Sequence, residues 1–161
     1  MVRRPTPPWG MRHLVLAFAL LWLAPASAQE FDPEKPYTVK EDGTVDWYTY
    51  SGYRRYHAEC HTCHGPDGMG SSFGPALMNS LKTMSYEDFL EVVTNGRENV
   101  SQSQFKKMPA FGLNPNVMCY VDDIYAYLKA RSENAIPRGR PAKRADKPQE
   151  AKENEAACLG T

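Results

Sequence analysis

The chain has 161 residues, 42% of them hydrophobic, and its 19 basic and 19 acidic side chains cancel formally. That supplies one small domain with tails and excludes a large multidomain assembly. No basic stripe is present, which argues against nucleic acid as a partner.

The N-terminus reads as a secretory signal. Arg3, Arg4 and Arg12 form a basic start, Leu14 to Leu23 (LVLAFALLWL) an apolar run, and Ala26-Ser27-Ala28 a small-residue cleavage site. The mature chain is expected to begin near Gln29. The competing reading is an uncleaved anchor helix, but the run is short for a span of about 20 residues. Loss of residues 1–28 removes three arginines and no acid, leaving 16 basic against 19 acidic groups, a net of −3. Residues 29–45 follow as an extended acidic arm containing Pro33, Pro36 and Gly43. Over 29–47 there are six acids and two lysines.

A helix is predicted from Asp46, a good N-cap, to about Cys60. Tyr50, Tyr53, His57 and Cys60 share one face at helical spacing, with Gly52 and Tyr56 on an adjacent stripe. It runs into Cys60-His61-Thr62-Cys63-His64. Two cysteines separated by two residues, with histidine directly after, are the signature of covalent c-type haem attachment. The cysteines lie about one helical turn apart, so both thiols can add to the porphyrin's vinyl groups, while His64 offers an imidazole nitrogen to the iron. His61 should point away. A dithiol redox pair would want a βαβ context, and a closed zinc site would want two more ligands at similar spacing. Neither is present in the sequence. Export also fits, because thioether attachment takes place outside the bacterial cytoplasm.

Gly65 to Ser80 is rich in Gly and Pro and is predicted to be a loop. Ser85 caps a second helix through Phe89, Leu90, Val92 and Val93, ended by Asn95-Gly96. Residues 97–115 form a further loop around Met108-Pro109. A third helix starts at Asn114 or Asn116, with Val117, Val121, Ile124, Tyr125 and Leu128 as its apolar face. From Ser132 onward the composition predicts a poorly packed tail. No strand is evident.

Met108 is the expected sixth iron ligand. It lies far enough along the chain to reach the opposite haem face, and Pro109 stiffens its loop. A thioether there raises the potential. Met69, Met78, Met84 and Met118 are the other mature methionines, and core packing is the alternative for each. Arg97 follows a Gly turn near the methionine loop and could pair with a haem propionate or stay solvated. His57 reads as a packed helix-face residue. With Cys60 and Cys63 committed to haem, Cys119 and Cys158 remain as a pair, either bridged or free.

Cys60-His61-Thr62-Cys63-His64, Gly74-Pro75-Ala76-Leu77 and Met108-Pro109 together resemble the class I cytochromes c, over about residues 46–130. The resemblance implies a small all-α single-haem fold with long loops. It also implies that the Pro75 carbonyl fixes the ring of His64. Gly52 and Tyr56 should pack the first helix on the last, against Ile124 and Tyr127. Leu77, Phe111 and Leu128 would help exclude water from the haem. The domain is therefore expected over 46–130, with a 131–161 tail tied back by a disulfide.

A narrower likeness rests on Tyr53-Arg54-Arg55-Tyr56-His57, Ser85-Tyr86-Glu87-Asp88-Phe89-Leu90, Asn95-Gly96-Arg97 and Asn114-Pro115-Asn116-Val117-Met118-Cys119-Tyr120. These segments resemble the four-cysteine cytochromes of methanol metabolism. That resemblance implies a periplasmic electron carrier, not an enzyme, that accepts electrons from a pyrroloquinoline quinone (PQQ) alcohol dehydrogenase and passes them to an oxidase or another cytochrome. The alternatives are a general donor to a terminal oxidase, or a haem enzyme with an open sixth position.

Overall fold

The computed structural model describes residues 31–100 and 105–160. The expected signal peptide, its expected cleavage site and residues 101–104 lie outside the described residues. Helix α1 spans Trp47–Glu59. The Asp46 carboxylate accepts the Thr49 amide proton at 2.7 Å and satisfies one of the open donors of the first turn. At its other end the helix barely stops. Cys60 keeps a helical backbone, and α2 (His61–His64) follows at once. The attachment cysteines therefore ride on the C-terminal end of the longest described helix.

Gly65–Ser80 is not wholly irregular. A 3-10 turn covers Pro66–Gly68, and α3 covers Leu77–Ser80. Helix α4 spans Tyr86–Asn95, with the Ser85 hydroxyl accepting from the Asp88 amide at 3.1 Å. The predicted loop over 97–115 requires correction. It contains an antiparallel hairpin of β1 (Arg97–Val100) and β2 (Phe105–Met108), in register Arg97↔Met108 and Glu98↔Lys107. The third helix also differs from expectation. It breaks at Cys119 and Tyr120 into α5 (Pro115–Met118), capped by Asn114, and α6 (Val121–Ser132).

The core lies where α1 crosses α6. Tyr56 and Tyr127 are both 0% exposed there, with ring centroids 5.6 Å apart. Gly52 permits the approach, because a Cβ at that position would sit 1.8 Å from the Asp123 carbonyl oxygen and 2.9 Å from Tyr127 Cβ. Ile124, Leu128, Val117, Leu81 and Phe89 complete the cluster.

Residues 133–148 lack regular helix or strand, in line with the expected tail, but the segment is packed more closely than its composition suggests. Ile136 is 3% exposed. The Val45 amide donates to the Lys143 carbonyl at 3.2 Å, and the Ala145 amide donates to the Val45 carbonyl at 2.9 Å. The acidic arm and this strap thus support one another. The strap leads into α7 (Gln149–Leu159), which a Cys119–Cys158 disulfide fastens to the α5–α6 junction, with Cα atoms 5.7 Å apart. Glu155 on α7 accepts from the Tyr120 hydroxyl at 2.5 Å and lies 3.6 Å from the Arg55 guanidinium. No helix among the described residues is long and apolar enough to cross a membrane.

Candidate cofactor site

The α1–α2 junction presents Cys60, Cys63 and His64 together. Neither cysteine is in a disulfide. Burial, with smaller contributions from Glu59 and Cys63, pushes the Cys60 thiol up to about 12, so it is not a thiolate at neutral pH. A thiol in that environment is a poor nucleophile for dithiol exchange.

His64 is 7% exposed. Its Nδ1 lies 3.1 Å from the Pro75 carbonyl oxygen. A carbonyl only accepts, so the proton belongs on Nδ1 and the lone pair on Nε2, the arrangement a metal-ligating imidazole needs. Gly74 makes room for this bond, since a Cβ on it would stand 2.9 Å from His64 Nδ1. The next loop is closed by backbone. The Gly70 amide donates to the His64 carbonyl at 2.7 Å, and the Ser71 hydroxyl donates to the Cys63 carbonyl. Tyr56, whose role the sequence suggested only as helix packing, also donates its hydroxyl to the Gly65 carbonyl at 2.5 Å and accepts from the Gly68 amide at 3.0 Å.

Met108 ends β2, partly buried against the core cluster. It is held from both sides. Its strand pairs with Arg97, and beyond Pro109 the Phe111 and Gly112 amides donate to the Val93 and Thr94 carbonyls at 2.9 and 3.0 Å. Gly96 makes the turn into this hairpin at φ 74°, and a Cβ there would meet the Met108 carbonyl oxygen at 2.5 Å. The methionine loop is therefore latched onto the end of α4. Arg97 is exposed and sits opposite Met108 in the register. Leu77 and Phe111 are partly buried against the core, and Leu128 is fully buried within it.

His57 is a packed helix-face residue, as the sequence suggested. Its Nδ1 faces the Tyr53 carbonyl at 2.8 Å, and its Nε2 lies 3.5 Å from Asp67. Asp67 escaped sequence reasoning altogether. It is buried at φ 58°, in the left-handed region that non-glycine residues seldom adopt. Nothing in the run Gly-Pro-Asp-Gly marked it as more than a turn residue.

The residues present fit covalent haem: two uncommitted cysteines on one helix end, a pre-oriented imidazole, and a partly buried thioether on a separate hairpin. Comparison with known proteins agrees. Residues 49–128 match the family described as cytochrome c oxidase, cbb3-type, subunit III. The chain is 57% identical over 123 residues to cytochrome c-553I of Paracoccus denitrificans, covering 76% of this chain and 54% of that protein, so it spans about half the length of that relative. It is 43% identical over 96 residues to cytochrome c-555 of Methylococcus capsulatus, covering 59% of this chain and 72% of that protein. The crystal structure of the c-type cytochrome XoxG from Methylobacterium extorquens AM1 matches with a TM-score of 0.65 at 44% identity, covering 83% of this chain and 95% of that one. With its attachment motif, helical frame and relatives in agreement, the chain belongs to the class I c-type cytochromes and carries haem c.

Proposed function

We propose that this cytochrome is a periplasmic carrier that accepts single electrons from a PQQ-dependent alcohol dehydrogenase and delivers them to an oxidase or a further cytochrome. Haem supplies a one-electron iron couple. The residues supply the rest. Cys60 and Cys63 would hold the group, His64 and Met108 would supply its iron ligands, Pro75 orients His64, and Arg97 would offer a charge to a propionate. Leu77, Phe111 and Leu128 keep water out, which favours the ferrous state and keeps reorganisation small.

The observation that carries this reading is the His64 ring, fixed by the Pro75 carbonyl on the helix end that bears both cysteines. The latched Met108 hairpin favours a carrier over an enzyme, because a capped iron needs no substrate site. The likeness of Ser85–Leu90 and Asn114–Tyr120 to the four-cysteine cytochromes supports the choice of donor.

Stopped-flow mixing of oxidised cytochrome with a substrate-reduced PQQ dehydrogenase tests it. The haem should be reduced faster than by unrelated periplasmic donors. The rate should change with ionic strength, as charge-steered encounters do. Haem that stays oxidised over many enzyme turnovers, while an artificial acceptor is reduced, would favour the general oxidase donor instead.

A further inference from the structure

We propose that Asp67 is a positioning residue for the proximal histidine, and that the C-terminal strap locks it in place through Arg138 and Gly139. The proposal rests on the reading of His64 as an iron ligand.

Asp67 lies three residues beyond His64, inside the backbone ring that the Gly70 amide closes on the His64 carbonyl. It adopts φ 58°, a left-handed conformation that L side chains seldom adopt. A glycine would hold this turn without strain, so the side chain has to contribute something the turn does not need. The carboxylate collects three donors from two separate parts of the fold. The Gly139 amide donates at 3.0 Å, Arg138 Nε at 3.2 Å, and the Tyr127 hydroxyl at 3.3 Å. The first two come from the strap and the third from α6.

Burial alone would raise the pKa of this carboxyl. The hydrogen bonds from Gly139 and Arg138, with the nearby charges of His57 and Arg131, hold it below its usual range. The anion is thus the form the site is built around. The strap end is anchored in turn, because buried Arg131 on α6 donates to the Ile136 carbonyl at 2.6 Å. From below, Tyr56 grips the same ring at Gly65 and Gly68. The ring is therefore clamped by α1 on one side and by the strap on the other, and His64 enters it. A loosened ring would let His64 drift from the Pro75 carbonyl. That would weaken the imidazole as a donor to ferric iron and raise the potential.

The decisive variant is Arg138→Gln in the holoprotein. Its arginine is 62% exposed, so the change leaves the core intact. Positioning predicts a higher potential, together with about tenfold faster hydrogen exchange at the Gly68 and Gly70 amides and unchanged exchange in α4. A simple field effect predicts the reverse, since removing a positive charge lowers a potential. Asp67→Asn, which keeps the shape and tolerates the left-handed backbone, should move both readouts the same way as Arg138→Gln. Lys143→Gln breaks an ion pair to Asp42 farther along the strap and should move neither. A lower or unchanged potential in Arg138→Gln, or an equal response in Lys143→Gln, overturns the proposal. The ligand reading is tested apart from it, by whether the unmodified ferric protein shows the paramagnetically shifted ring signals of His64.

Discussion

Met108 and Asp123 show how far single side chains could be read. Met108 is expected as a ligand from its place in the chain, and the cysteines and His64 from a motif whose spacing is dictated by porphyrin chemistry. Met108→Ala should abolish the far-red sulfur-to-iron band and lower the potential by on the order of 0.1 V, a fraction of the roughly 0.8 V that axial ligands command. Visible spectroscopy and a redox titration check it, and a surviving band would assign the sulfur to another methionine. Asp123 and Asp67 were not legible, because burial by distant chain segments leaves no local mark. Burial pushes the Asp123 carboxyl up to about 7, with Asp122 and Asp46 adding to the rise, against the opposing Ser51 hydrogen bond and Arg55 charge. Its folded pKa is above the unfolded one, so the native state binds more protons between roughly pH 4 and 7. Stability from this group is therefore greatest at the acid end of that window and declines towards neutrality. Asp123→Asn should flatten the melting temperature between pH 5 and 8, whereas the parent protein should fall over the same range.

Helices α1 and α4 were legible because each opens on a capping side chain, Asp46 and Ser85, and α4 also closes at a definable stop, Gly96. The break between α5 and α6 was hidden. The apolar spacing of Val117, Val121, Ile124 and Leu128 continues straight across Cys119 and Tyr120, although the backbone does not. The hairpin was hidden for a different reason. Arg97-Glu98-Asn99-Val100 and Phe105-Lys106-Lys107-Met108 are four-residue strands without alternating polarity, so they leave no periodic signal in the sequence. Contact between α1 and α6 was readable from a glycine and an aromatic four residues apart. Gly52→Ala tests it directly. The added methyl meets backbone rather than a movable side chain, so the helices must separate, at a cost of about 1–3 kcal/mol or more. A drop of several degrees in melting temperature, with the sulfur-to-iron band retained at low temperature, is the expected result.

At the scale of the whole molecule, the strap and α7 were the least legible parts. Their composition is that of a solvated tail, and they dock through isolated residues, Ile136, Arg138 and Ala151, rather than a periodic face. The disulfide converts those sparse contacts into a fixed element. Its two cysteines are 39 residues apart, and in the chain-entropy picture closing such a loop stabilises by about 4 kcal/mol at most. The Cys119→Ser, Cys158→Ser double variant should therefore unfold at a lower denaturant concentration. Its strap should also become susceptible to limited proteolysis, which mass spectrometry of the fragments would locate.

The order of the four cysteines along the chain has a consequence for biogenesis. If the chain is exported N-terminus first, as proposed, Cys60 and Cys63 emerge first of the four, Cys119 later and Cys158 last. Four thiols admit six single bridges, and only one of them, Cys119–Cys158, leaves the attachment pair available. Until Cys158 arrives, every oxidation open to the chain is a wrong one. Assembly is thus a race between thiol oxidation and thioether formation. The cell has to hold two sulfurs reduced in the same compartment where it must oxidise the other two.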